Sequence, residues 1–329
     1  MSLSLESIWY RRHPVGLLLL PLSWVFFLVV VLRRFCYRTG VLKQHKIACP
    51  VIIVGNITVG GTGKTPLVIW LIAFLKKQGY HPGIISRGYG GHASTWPQQV
   101  RPDSDPYMVG DEPVLMAQRC QCPVAVGPDR VGTAQALLEH NQCDIIVSDD
   151  GLQHYALARD IEFVVIDGIR RFGNNRCLPS GPLREPVSRL READFLVVNG
   201  LANRGEHAME LTGTRLINML DDRQTRELSD WSGKRVHAVA GIGNPKRFFT
   251  TLNRAGLDLE SHAFRDHYEY NQRDLDFTGD NPVIMTEKDK VKCLRFANRN
   301  FWYLPVDAQI DERLETPLLR KLNALNKQR

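Results

Sequence analysis

Paired cysteines are missing from this chain. Its seven cysteines are scattered, and only Cys120-Gln-Cys122 stand close together. That spacing suits neither a usual zinc site nor a redox CxxC pair, so a disulfide scaffold is excluded and reduced thiols of a cytosolic protein are expected. Internal repeats and low-complexity tracts are absent, and an apolar content of 43% with 23% charged residues is that of an ordinary folded protein. Acidic residues are the minority sign, 35 against 42 Lys and Arg, for a net charge of +7. This balance favours an anionic partner such as a membrane surface or a phosphorylated substrate, although a generic basic surface produces it too. Neither a nucleic acid nor an obligate protein partner is expected.

Long uncharged runs are also missing, with one exception. Val15 to Leu32 holds 18 residues without a charge, interrupted only by Gly16, Pro21 and Ser23. At 1.5 Å per residue such a run barely crosses a hydrocarbon core of ~30 Å, so it reads as a kinked span or as a helix lying in one leaflet. Arg11 and Arg12 precede it, and Arg33, Arg34, Arg38 and Lys43 follow. The heavier C-terminal flank keeps the main body in the cytoplasm. A cleaved signal is disfavoured, because small residues of an A-x-A site do not follow. A buried helix of a soluble protein is the plainer alternative.

The stretch Val51 to Pro66 reads Val-Ile-Ile-Val-Gly-Asn-Ile-Thr-Val-Gly-Gly-Thr-Gly-Lys-Thr-Pro. A β-branched run, a cluster of small residues and then helical spacing predict strand, loop and helix. Backbone N–H groups of Thr58, Val59, Gly60, Gly61, Thr62 and Gly63 are placed to cradle phosphates at a helix N-terminus. Lys64 is expected to reach the β/γ-phosphates of ATP, and the Thr65 hydroxyl to hold Mg²⁺. The pattern departs from a strict P-loop at Thr58, where glycine is usual; the Gly60-Gly61 pair supplies flexibility nearby.

Beyond residue 51, apolar runs at 83–85, 124–126, 145–147, 163–166 and 195–198 alternate with helical patterns, which predicts a parallel sheet with helices on both faces. A polar stretch at 221–233 reads as a linker, and runs at 236–240, 282–285 and 301–304 as strands of a second, smaller α/β domain. The expected organisation is a membrane-associated helix (1–35), a P-loop domain (36–220), the linker (221–233) and the C-terminal domain (234–325).

Several motifs fall where such a sheet gathers chemistry. Asp149 and Asp150 end a strand, where either could hold Mg²⁺ or simply form a turn. Asp111, in Gly-Asp-Glu-Pro, reads as an N-cap, yet phosphoryl transfer to an alcohol wants a carboxylate to accept the hydroxyl proton. Arg87 follows the second strand in Ser-Arg-Gly-Tyr-Gly-Gly, and Arg184 lies in a proline-rich turn; both are candidate substrate contacts. His267 stands beside Asp266, and its neutral-range pKa suits proton handling. Thr286-Glu287-Lys288-Asp289 superficially suggests a guanine-specificity motif, but its lysine is one place late.

Gly-Asn-Ile-Thr-Val-Gly-Gly-Thr-Gly-Lys-Thr-Pro (55–66), Ser-Arg-Gly-Tyr-Gly (86–90), Gly-Asp-Glu-Pro (110–113), Gly-Pro-Asp-Arg (127–130), Asp-Asp-Gly-Leu-Gln-His (149–154), Gly-Pro-Leu-Arg-Glu-Pro (181–186), Gly-Ile-Gly-Asn-Pro (241–245), Asp-His (266–267) and Thr-Glu-Lys-Asp (286–289), in this order, resemble the tetraacyldisaccharide 4'-kinases of lipid A biosynthesis. The resemblance implies ATP-dependent phosphorylation of the 4'-hydroxyl of tetraacyldisaccharide 1-phosphate to the 1,4'-bisphosphate. It implies ATP and Mg²⁺ in a cleft between two α/β domains, and a place on the cytoplasmic face of a bacterial inner membrane. By the same resemblance Asp111 matches the catalytic base and His267 a histidine supporting it. The competing expectation is a membrane-associated P-loop NTPase switch. It is weakened by Val59, where dimeric ATPase switches carry a signature lysine.

Overall fold

The computed structural model describes residues 5–10 and 13–327; Arg11 and Arg12 of the expected N-terminal flank lie outside them. Two sheets organise the chain. The larger has nine strands in the order Asp307–Ile310, His207–Thr212, Phe195–Asn199, Ile161–Asp167, Val51–Gly55, Ile145–Asp149, Pro82–Ser86, Val124–Val126, Gln98–Val100. Its outermost strands are antiparallel to their neighbours and the seven between them are parallel. The central strands read as unbroken apolar runs because helices cover both faces and leave no wet side. Ile52, Val54, Leu67, Leu71 and Val147 pack on one face, and Val51, Ile53, Ile85, Ile146 and Val164 on the other.

The smaller sheet has six strands, Thr225–Glu227, Arg215–Asn218, Phe301–Leu304, Val283–Thr286, Arg235–Ala240 and Asp258–Ala263, the last four parallel. Two expected boundaries are corrected here. The polar stretch at 221–233 is not a linker: Thr225–Glu227 pairs antiparallel with Arg215–Asn218, its polarity being that of an exposed edge hairpin. Nor does the second unit run to 325. Strand Asp307–Ile310 pairs with His207–Thr212 of the large sheet, and Leu314, Leu318 and Leu322 bury in that sheet's core. The chain therefore crosses between sheets at 213–214 and again at 305–306. A Cβ on Gly213 would meet the Pro305 carbonyl oxygen at 2.5 Å, so the two crossings touch.

Helix Leu20–Arg38 extends past the uncharged run. One stripe docks it on the large-sheet unit: Ser23 Oγ donates to the Cys177 carbonyl at 2.7 Å, Phe26 packs on the core, and Arg34 and Arg38 pair with Glu192. Leu22, Trp24, Val25, Leu28, Val29, Leu32 and Phe35 stand exposed around the rest of its circumference. The helix is long and apolar enough to cross a membrane, and only 6% of its most apolar window is buried.

Candidate active site

Strand Val51–Gly55, wholly buried, delivers the loop Asn56–Gly63 into helix Lys64–Lys77. Left-handed φ angles fall on Gly60 (+103°) and Gly63 (+97°), where a side chain would be strained. Thr58 thus costs the loop nothing; it is buried and bridges to Leu183. The proline-rich turn is stitched to the loop, Val59 N donating to the Pro182 carbonyl at 2.8 Å and Arg184 N to that of Ile57 at 2.7 Å. Lys64 Nζ lies 3.4 Å from Asn56 Oδ1 and 3.4 Å from Asp150 Oδ1, folded back over the loop. Facing it from the small sheet is Gly241–Pro245, whose Gly243 carbonyl accepts from Arg170 at 3.1 Å. A cavity of about 220 Å³ lies between the sheets here, with Lys64, Thr65, Glu112, Asn199, Asp266 and Lys288 on its walls.

Asp111 is the first residue of helix Asp111–Cys120, and the N-cap is Gly110 at φ +95°. The N-cap reading of Asp111 is therefore corrected: glycine takes the unusual backbone conformation, and the carboxylate is left for other partners. It is 4% exposed, and His267 Nδ1 lies 3.0 Å from Oδ1 and 3.2 Å from Oδ2. His267 holds φ +57°, a conformation costing a non-glycine residue on the order of 1 kcal/mol and characteristic of functional sites. The Tyr89 ring packs against it with centroids 4.9 Å apart.

Lysines from helix Glu287–Cys293 complete this cluster. Lys288 Nζ donates to Glu112 Oε1 at 2.8 Å and Asp266 Oδ1 at 3.1 Å, and Lys292 Nζ lies 3.6 Å from Asp111 Oδ2. Burial pushes the Asp111 carboxyl up, but Lys288, the hydrogen bond to His267 and Lys292 together hold it below the usual carboxylate range. Burial pulls His267 down and Lys288 repels its charge, yet the Asp111 hydrogen bond and the Asp111 and Asp266 charges raise it above its ordinary value. Lys288 is raised as well, its burial outweighed by Glu112, Asp111 and Asp266. The Thr-Glu-Lys-Asp motif thus braces the two units: Lys288 bonds acids of both and Glu287 pairs with Arg119 at 2.6 Å, while Asp289 accepts from Gly241 N at 2.9 Å within the small-sheet unit.

At the end of strand Ile145–Asp149 the two adjacent acids part company. Asp150, at φ +47°, pairs with Lys64 and with Arg184 at 3.2 Å, which hold it below its ordinary value against the upward pull of burial. Asp149 is 1% exposed; its Oδ2 accepts from Ser86 Oγ at 3.3 Å while Oδ1 is sealed without a partner. Burial, with Glu112 next, pushes it up to about 7. Arg184 is drawn in by Asp150. Arg87 stands exposed at the end of strand Pro82–Ser86, beside the buried Arg130, whose Nη2 donates to the Asp149 carbonyl at 3.3 Å. Sequence reasoning missed Glu112, Lys288, Lys292 and Arg130. The first two lay in quoted motifs without a role, Arg130 closed the Gly-Pro-Asp-Arg motif, and Lys292 had no local signal.

A second cavity, of about 480 Å³, opens on the other side of Asp111 and His267, with Tyr89, Tyr107, Lys292 and Arg295 on its walls. Asp111 and Glu112, adjacent in sequence, thus look into different cavities: the first into this one, the second into that of the P-loop.

A family model described as tetraacyldisaccharide-1-P 4'-kinase matches residues 15–323. The curated tetraacyldisaccharide 4'-kinase of Nitrosococcus oceani is 53% identical over 325 residues, covering 96% of this chain and 95% of the relative. That of Methylobacillus flagellatus is 50% identical over 323 residues, covering 98% and 96%. Among solved structures, LpxK from Aquifex aeolicus in complex with ATP superposes with a TM-score of 0.77 at 28% identity, covering 93% of this chain and 99% of that one.

Proposed function

The chain belongs to the tetraacyldisaccharide-1-P 4'-kinase family, and from that premise we propose how its own residues carry the reaction. It is an ATP-dependent phosphotransferase acting on the 4'-hydroxyl of tetraacyldisaccharide 1-phosphate and yielding the 1,4'-bisphosphate. The observation that carries the assignment of roles is the wall shared by the two cavities. ATP enters the cleft between the sheets, its phosphates against Gly60 to Gly63 and Lys64. The disaccharide enters the other cavity, so that its hydroxyl meets Asp111. A partner-binding NTPase switch has no use for an ionised, histidine-buttressed carboxylate facing a second cavity, and that alternative is not favoured.

Transfer to an alcohol asks mainly for alignment and charge neutralisation. Asp111, ionised throughout the neutral range, accepts the hydroxyl proton. Its low basicity is no obstacle, because a loose transition state leaves that proton in place until the new P–O bond has begun to form. His267 fixes the carboxylate's orientation and is a positioning residue. Lys64 swings from Asp150 to the β/γ-oxygens when phosphate replaces the carboxylate as its anion. Thr65 and Asp149 fit a resident Mg²⁺: they would hold it, since Asp149 presents a buried oxygen without a partner. Held there, the ion would supply charge neutralisation for the transferred phosphate. Arg184 and Arg87, with Arg130, supply positive charge at this strand edge for substrate phosphate.

The helix Leu20–Arg38 carries the enzyme to a lipid that does not leave the bilayer, four acyl chains being held by ~0.8 kcal/mol per CH₂. Because one stripe of the helix is docked on the P-loop unit, we place it in one leaflet rather than across the membrane. ATP then puts the enzyme on the cytoplasmic face of the inner membrane.

The test is transfer of labelled γ-phosphate from ATP to detergent-dispersed tetraacyldisaccharide 1-phosphate. Lys64→Ala and Asp111→Ala are each expected to lose roughly 100-fold or more in kcat. Undiminished lipid labelling by Asp111→Ala would remove it as the base.

A further inference from the structure

The small sheet ends on the edge strand Asp258–Ala263, which runs parallel to Arg235–Ala240 with His237 opposite Glu260 and Val239 opposite His262. Alternation along a strand puts Glu260 and His262 on the same face, beside His237. There His237 Nδ1 lies 3.2 Å from His262 Nε2. Glu260 brings one carboxylate oxygen to 3.7 Å from His237 Nδ1 and the other to 3.9 Å from His262 Nε2. All three donor atoms fall within 4.8 Å of one another.

These spacings have a chemical meaning. Zinc bound tetrahedrally at ~2.0–2.1 Å from imidazole nitrogens sets neighbouring ligand atoms about 3.3 Å apart. The two ring nitrogens already stand at that edge length, and Glu260, half exposed, needs only a small rotamer adjustment to reach the same point. Phe277 stacks on both imidazoles, at centroid distances of 4.4 and 4.2 Å, and fixes their planes. His237 is 3% exposed, and its Nε2 is sealed without a partner. His262 is held below its ordinary pKa, by burial first and then by the neighbouring His237. The competing contact is an exposed pair between Arg235 and Glu260 at 3.5 Å, which is weak.

We propose that His237, Glu260 and His262 form a binding site for a divalent transition-metal ion of the zinc class, with solvent at the fourth position. Two nitrogens and one carboxylate select such an ion over Mg²⁺, which demands oxygen ligands in octahedral array. The site is separate from the phosphate-binding loop and from Asp111. It ties the edge strand to its neighbour four residues before Asp266, where that strand delivers the loop bearing His267. A bound ion stabilises the small sheet by adding a tether present only in the folded chain.

The test uses the full-length, untagged protein, stripped with a chelator and then titrated with Zn²⁺ in competition with a chromogenic chelator, and separately with Co²⁺ as a spectroscopic probe. One Zn²⁺ per chain is expected, with the intense visible bands of four-coordinate Co²⁺ and a Zn²⁺-dependent rise in the unfolding midpoint. All three should be lost in His262→Gln and weakened at least about tenfold in Glu260→Gln. Both substitutions lie on a partly exposed edge strand and leave the core intact, and the Glu260 variant serves alone should the other fail to fold. Equal Zn²⁺ affinity in the parent and both variants would place the ion elsewhere and overturn the proposal. So would the absence of any tight Zn²⁺ binding, leaving a plain hydrogen-bonded histidine pair.

Discussion

The charge state of the Asp111–His267 pair follows from which groups surround it. His267 is raised in the folded chain above its unfolded value of 6.5, so its contribution to stability is complete below that pH and is lost as pH climbs through the folded value. Asp111 is depressed, so its contribution is present above its unfolded value of 3.8 and is lost as pH falls through the folded one. The pair as a whole is strongest between those limits. Replacing Asp111 by Asn removes the nearest charge that raises the histidine and weakens its hydrogen bond to a neutral one, while burial and Lys288 still lower it. Asp111→Asn is therefore expected to lower the His267 pKa, read from the imidazole C–H shift in protein carrying ¹³C-labelled histidine. A histidine that titrates unchanged would mean that Asp266 alone sets its charge. Asp111 was legible as a candidate because an acid was needed; that it escapes the capping role depends on Gly110, whose φ no sequence pattern reveals.

Among the elements, helix Leu20–Arg38 separates two demands by face. Ser23, Phe26 and Arg34 hold it to the protein, whereas Leu28 and Leu32, each 63% exposed, face outward. An exposed leucine gains about 1.5–3 kcal/mol on entering lipid, so the double variant Leu28→Ser with Leu32→Ser should weaken partition onto vesicles by on the order of 100-fold or more. Sedimentation with liposomes reads this directly, and turnover of a short-chain, soluble acceptor should be unaffected. Unchanged partition would show that other surface carries the attachment. Charge patterning announced this helix from the sequence, but its docked stripe depends on Cys177 and Glu192, more than a hundred residues downstream.

For the whole molecule, the two crossings at 213–214 and 305–306 are the covalent links between the units, and helices Asp111–Cys120 and Glu287–Cys293 carry part of the non-covalent contact. The loop Gly241–Pro245 is seated so closely on the P-loop that a Cβ at Gly243 would stand 2.6 Å from Gly61 N. Gly243 has no left-handed φ, so a side chain there tests space rather than backbone strain. Gly243→Val is expected to hold the units apart and to lower kcat/KM for ATP by roughly 100-fold, with circular dichroism unchanged and a larger radius of gyration by small-angle scattering. A variant with parent kinetics would mean that this close approach is not needed for transfer.

The sequence by itself determined the P-loop, the alternation of strand and helix, the long apolar segment at 15–32 and the family, because each is written in contiguous residues whose spacing or composition is itself the signal. It also brought Asp111, His267, Lys64, Asp149 and Asp150 forward as candidates. Only the tertiary structure decided that Asp150 answers Lys64 and Arg184 while Asp149 keeps an oxygen without a partner, and that Lys288 joins acids of both units. It alone returned the C-terminal strand and helix to the large sheet. These are contacts between residues far apart in the chain, and their energies depend on burial and distance, which local pattern does not encode.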